Sequence, residues 1–125
     1  MAIRLDHTIV NSGDKRAAST FLAEILGLPA PVPFGPHFMA VRVGEVTFDF
    51  CDCDEAMPVG HYAFLVGEDD FDAIFGRIQA RGRDYWADPA QQRKGEINRN
   101  DGGRGVYFED PSRHLLEIIT RPYGG

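Results

Sequence analysis

Two histidines and two carboxylates stand where their side chains could do chemistry. His7 lies in "LDHTIV" and His61 in "GHYAFLV", two apolar, strand-like runs whose histidines are 54 positions apart. A single histidine in a strand is ordinarily a hydrogen-bonded core or surface residue, but two at matching points of a repeat ask for a shared role. Asp49 sits in "VTFDFC", where alternation puts Val46, Phe48 and Phe50 on one face and Thr47, Asp49 and Cys51 on the other. Glu117 interrupts the apolar run "LLEII", and an ionised carboxylate there is costly unless it is paired or bound to a metal. Two imidazoles and a carboxylate on one face suit a divalent ion with open coordination positions: iron(II), manganese, zinc or nickel. The competing reading of the same residues is a polar patch with no metal.

The elements that must position these residues repeat. Residues 3–10 read as a strand. The helix that follows has Ala17, Phe21, Ile25 and Leu28 at helical spacing, Asp14 as its N-cap and Gly27 near its end. "PAPVPFGP" reads as a break in regular structure, and "HFMAVRV" with "VTFDFCD" as a hairpin turning at Gly44–Glu45. The order then restarts. "VGHYAFLV" is a strand, "EDDFDAIFGRIQARG" a helix with Phe71, Ile74, Phe75 and Ile78 on one face, and "DYWAD" a short strand. Residues 89–103, glycine-rich with charges of both signs, read as a mobile loop. "RGVYFED" and "HLLEIIT" close the chain as a hairpin around "DPSR". Gly13 and Gly67, and Phe21 and Phe75, repeat the 54-residue offset of the histidines. Two such halves bury more together than either does alone. The expectation is one α+β domain over residues 1–125, with module one at about 1–54 and module two at about 57–125. Two pseudo-twofold βαβββ modules would then enclose a cleft between curved mixed sheets, with their helices outside.

Composition narrows the partners. The net charge of −6 and pI near 5.1 give no general attraction to nucleic acid or an anionic membrane. The N-terminus lacks signal-peptide regions, and no apolar run approaches membrane-spanning length. Cys51 and Cys53, one residue apart, read as reduced thiols and point to the cytoplasm.

The stretches "LDHTIV…FLAEILGL", "HYAFLV" and "VYFEDPSRHLLEI" resemble the vicinal oxygen chelate superfamily, which includes glyoxalase I, extradiol dioxygenases, and fosfomycin- and bleomycin-resistance proteins. The resemblance covers nearly the whole chain, and the family's paired βαβββ modules match the repeat. It implies His7, His61 and Glu117 as ligands of a divalent metal, and a small oxygenated substrate chelating that metal through adjacent oxygens. It also implies a homodimer. Asp49 stands where glyoxalase I carries a carboxylate ligand, one methylene longer, so a fourth ligand or a general base are both open to it. Tyr107 lies ten residues before Glu117, the spacing of the active-site tyrosine of extradiol dioxygenases, and a hydrogen-bonding or proton-donating role follows. The dioxygenases' acid–base histidine has no counterpart, since His37 and His114 read as structural or exposed. Arg104 and Arg121 could serve a phosphonate, though surface salt bridges are their more ordinary role. The reaction is thus a glyoxalase-like lyase or isomerase step or a dioxygenase-like one. The alternative is a metal-free binding protein of the bleomycin-resistance type that sequesters a small molecule.

Overall fold

The computed structural model describes residues 2–53, 55 and 57–123. The chain is α+β and divides into two compact units, Met1–Pro58 and Val59–Gly125. The first runs β1 (His7–Ser12), α1 (Lys15–Leu26), β2 (Val32–Phe34), β3 (Phe38–Val43) and β4 (Val46–Asp52). The second runs β5 (His61–Leu65), α2 (Glu68–Ala80), β6 (Tyr85–Trp86), β7 (Gly105–Glu109) and β8 (Leu115–Ile119). Each unit is therefore βαβββ. Each carries one four-stranded mixed sheet, ordered β1-β4-β3-β2 or β5-β8-β7-β6, with only the β1–β4 and β5–β8 pairs parallel.

In the first unit α1 starts at Asp14, whose carboxylate accepts from the Arg16 and Ala17 amides, and stops at Gly27, left-handed at φ 73°. Its buried stripe, Ala18, Phe21, Leu22 and Ile25, packs on β1, β3 and β4. The sheet answers with Val10, Met39, Val41, Phe48 and Phe50, all buried. In the second unit the buried parity is Phe64, Val106, Phe108, Leu116 and Ile118, matched by Phe71, Ile74 and Ile78 of α2. Both sheets thus spend one parity on a helix, which leaves His7, Asp49, His61, Tyr107 and Glu117 on the other.

Three local expectations give way to pairing. Residues 3–6 are not strand: the β1–β4 register begins at His7↔Thr47, and Asp6 contributes only its carbonyl to the Thr47 amide. Residues 32–34 are strand despite Pro33, because β2 is an edge strand where a missing N–H costs no ladder bond. Residues 89–103 are tethered. Asp88 accepts from the Gln92 and Arg93 amides, Lys94 bridges to Trp86, and Asn98 pairs with Gly105. The buried Asn98 side chain also donates to the Ala87 carbonyl at 2.9 Å.

Candidate metal centre

Strand register assembles the second unit's donors. Glu117 on β8 is flanked by Tyr107 on β7 and Ala63 on β5, and His61 lies two residues before Ala63 on the same face. Glu117 is fully buried, and the His61 Nε2 atom stands 3.1 Å from its Oε1. The His61 and Tyr107 rings stack with centroids 6.0 Å apart. His114 is structural, as expected. It is buried, and its Nδ1 accepts from the Gly60 amide at 2.7 Å, anchoring the backbone immediately before His61.

The other ring nitrogen of His61, Nδ1, meets the Leu115 carbonyl at 3.1 Å. A carbonyl only accepts, so Nδ1 carries a proton, and the neutral ring then presents the Nε2 lone pair. A lone pair and a carboxylate oxygen repel at 3.1 Å unless a proton or a metal ion lies between them. A proton on Nε2 would serve if it pointed at Oε1. The contact lacks that alignment, and Oε1 has no hydrogen-bond partner among the described residues. Two ligands of one ion at about 2.1 Å and a right angle lie about 3.0 Å apart, with the ion off the line joining them. Distance, misalignment and donor chemistry all fit a divalent metal.

The sequence reading missed Tyr123. Its hydroxyl donates to Glu117 Oε2 and lies 3.0 Å from the Tyr107 hydroxyl, so the carboxylate, Tyr123 and Tyr107 form one chain of contacts. Burial, then the bond to Glu117, push the Tyr123 phenol well above its ordinary range. Burial raises Tyr107 as well, with Glu117 adding to the rise. Both phenols therefore keep their protons at neutral pH. A tyrosine beyond the last strand belongs to no periodic pattern, so nothing in the sequence marked it.

In the first unit, His7 pairs with Thr47 and Ile9 with Asp49, which puts His7 and Asp49 on one face of the sheet. Both line a pocket of ≈ 450 Å³, together with Asp6, Val32, Pro33, Phe34, Ala40 and Thr47. His7 Nδ1 bonds Asp6 at 2.8 Å, and that bond, more than the nearby Asp49 charge, raises the His7 pKa. A carboxylate on one nitrogen fixes the ring and leaves Nε2 as the donor, the arrangement common behind metal-bound histidines. Asp6, adjacent in sequence, was the signal that the pattern reading passed over. Asp49 is 5% exposed, and its Oδ1 has no hydrogen-bond partner among the described residues. Cys51 and Cys53 are free thiols.

The structure thus brings His61, Glu117 and Tyr107 together in one unit, and His7 and Asp49 in the other. Among the described residues, no three His, Cys, Asp or Glu side chains form a group that could hold a metal. No helix among them is long and apolar enough to cross a membrane.

No family model matches the chain. Among solved structures, it is 59% identical to "Oxidase ChaP-H1", covering 99% of this chain and 100% of that one at a TM-score of 0.95. "Oxidase ChaP-H2" is 56% identical, covering 100% and 98% at a TM-score of 0.96. Among curated proteins, the glutathione transferase FosA of Serratia marcescens is 28% identical, matching 91% of this chain and 78% of its own length. Fosfomycin-resistance proteins and glyoxalase-like structures share one superfamily. In sequence and fold the chain is similar to proteins of the vicinal oxygen chelate superfamily. Within that superfamily, a basic residue for an anionic substrate was one expectation, and Arg104 is engaged elsewhere. It bridges Glu68 at 2.8 Å and Asp72 at 2.7 Å and lies 4.4 Å over the Phe71 ring.

Proposed function

We propose that the chain is a metal-dependent oxidase of the vicinal oxygen chelate type, with His61, Glu117 and His7 as the metal ligands. The observation that carries this reading is the His61–Glu117 pair, a buried carboxylate oxygen and an imidazole nitrogen at ligand spacing with no hydrogen bond between them. The word "oxidase" in the names of two solved structures, 59% and 56% identical over nearly the whole chain, supports the reaction type. Two histidines and one carboxylate with open positions make the donor set of non-haem iron(II) oxygenases, which favours iron over manganese, zinc or nickel. When bound, such an ion supplies Lewis acidity toward adjacent substrate oxygens and a redox centre.

The chain's own residues orient and protonate. Leu115 and Asp6 fix the two imidazoles through their Nδ1 atoms. Tyr123 holds Glu117 by Oε2, leaving Oε1 for the metal. Tyr107 keeps its proton and can hydrogen-bond a substrate oxygen or donate to it. Asp49 has a free Oδ1 to accept a substrate hydroxyl, so a base role suits it better than ligation. A second copy of the chain completes the proposal. Ile3, Leu5, Ile9 and Leu65 are each more than half exposed, apolar surface that a second subunit would cover.

Metal analysis of protein purified without chelators tests the assignment. One divalent ion per chain is expected, lost in His61→Ala and in His7→Ala while the circular dichroism stays native. Light scattering should give a dimer mass. Unchanged metal content in both variants would overturn the ligand set. Absence of metal from the parent, with small-molecule binding intact, would favour the sequestering alternative.

A further inference from the structure

We propose that the buried His114 is a positioning residue for the metal site: by accepting the Gly60 amide it fixes the backbone that carries His61, and so sets how tightly the second unit's donors hold an ion. This deepens the metal-dependent reading and rests on it for the ion, while the hold on His61 is a property of the metal-free chain.

The two units set up their histidines alike and then diverge. Asp6 precedes His7 as Gly60 precedes His61, so the pair repeats the 54-residue offset. Both preceding carbonyls accept from the neighbouring strand, from the Thr47 amide and from the Leu115 amide, each at 2.9 Å. In the first unit the side chain of that preceding residue then takes the imidazole, Asp6 bonding His7 Nδ1 at 2.8 Å. The second unit has a glycine there. A side chain would not fit as the residues stand, because a Cβ on Gly60 would lie 2.9 Å from the Tyr62 ring. Gly60 also stands one residue ahead of the first β5–β8 pair, His61↔Leu115. Its amide goes to a side chain instead, reaching His114 Nδ1 at 2.7 Å.

Two residues entering β8 thereby clamp two entering β5. His114 takes the Gly60 amide, the Leu115 amide takes the Gly60 carbonyl, and the Leu115 carbonyl takes His61 Nδ1. The two rings need opposite tautomers. A backbone amide only donates, so His114 Nδ1 is bare and its proton sits on Nε2, whereas His61 is protonated on Nδ1. His114 is held in turn by the β7–β8 turn. Asp110 Oδ1 accepts its amide at 2.8 Å and the Ser112 amide at 2.9 Å, and the Asp110 amide donates to the His114 carbonyl at 3.1 Å. The Tyr62 ring meets the His114 ring edge-on at 5.8 Å, and His114 is 3% exposed, so the acceptor is kept for Gly60 rather than shared with solvent. Without that acceptor the residue before His61 loses one of its two bonds to β8, and the imidazole loses its fixed aim at Glu117.

The test compares two substitutions in the full-length protein. In His114→Asn the side-chain oxygen stands where Nδ1 did and can accept the Gly60 amide. His114→Leu fills the space without an acceptor. Cobalt(II) is titrated into each against a competing chelator. The leucine variant is expected to lose about 10–100-fold in affinity, the range typical of groups that orient metal ligands, and the asparagine variant to recover most of it. Both variants lose the imidazole's packing, so the metal-free melting temperature should fall in both, and only the metal affinity should separate them. Equal losses of affinity in the two, or no loss with leucine, overturn the proposal. Should the leucine variant not fold, His114→Gln, whose oxygen falls one methylene beyond Nδ1, takes its place with the same expected loss. Long-range proton–nitrogen NMR spectra of the metal-free proteins report the imidazoles directly. The parent should show His114 protonated on Nε2 and His61 on Nδ1, and the variant without the acceptor should show His61 averaged between tautomers. A proton on His114 Nδ1, or a His61 unchanged in that variant, also overturns the proposal. A parent that takes up no cobalt(II) defeats the metal reading alone, and the spectra still decide the hold on His61.

Discussion

His61 Nε2 and Glu117 Oε1 face each other at 3.1 Å, each already satisfied on its far side, by the Leu115 carbonyl through Nδ1 and by the Tyr123 hydroxyl through Oε2. Those far-side contacts leave Nε2 and Oε1 as the two atoms that face one another. With the proposed metal between them, several outcomes follow.

Glu117→Gln should remove metal binding yet leave the metal-free protein at least as stable as the chelator-treated parent. The amide oxygen can keep the bond from Tyr123 while its N–H donates to His61 Nε2, replacing a lone-pair conflict with a hydrogen bond. About 1–3 kcal/mol separates a satisfied buried polar group from an unsatisfied one. Thermal melts with and without chelator check this. The parent should gain stability on adding metal and the variant should not. A metal-free variant melting well below the metal-free parent would contradict it.

Tyr123→Phe removes only the hydroxyl that holds Glu117 Oε2. Groups that orient metal ligands are typically worth about 10–100-fold in affinity, and a loss of that size is expected in a competitive chelator titration. Tyr123 is 51% exposed and outside the core, so the melting temperature of the metal-free protein should barely change.

Asn98→Ala should loosen residues 89–103 specifically. Its side chain donates to the Ala87 carbonyl and accepts from the Asn100 amide at 3.2 Å, so alanine leaves both backbone groups short of a partner. A cost of about 1–3 kcal/mol is expected. Limited proteolysis should then cut within this segment faster than in the parent, and cleavage confined to other loops would count against the tether.

Acid should weaken the second unit through Glu68. The hydrogen bond from Arg104, with a smaller one from Thr120, holds this carboxyl below its ordinary value of 4.5. A depressed folded-state value means that its stabilisation is complete above 4.5 and disappears as pH falls through the lower, folded value. Melting temperatures followed from neutral pH into acid should fall less steeply below that point in Glu68→Gln than in the parent. Identical slopes would show that the bridge contributes nothing, as for many exposed pairs.

The amino-acid sequence by itself determined what depends on neighbours a few residues away. Asp14 and Gly27 bound α1 through bonds spanning two to four residues, and the apolar parity of "VTFDFC" assigned Asp49 its face before any partner strand was known. The 54-residue offset exposed the repeat because each module must build the same βαβββ unit. Tertiary structure alone decided the rest, because each remaining point turns on a partner distant in the chain. β1 begins at His7 because its register with β4 begins at Thr47; Pro33 can lie in a strand because, among the described residues, no strand pairs beyond β2; and residues 89–103 are ordered because Asn98 reaches Ala87 and Gly105. The same holds within the site. That Glu117 belongs in an apolar strand was legible as a cost, but what holds it, His61 from the adjacent strand and Tyr123 from beyond the last, is set by geometry that only strand register and the path of the chain's end create.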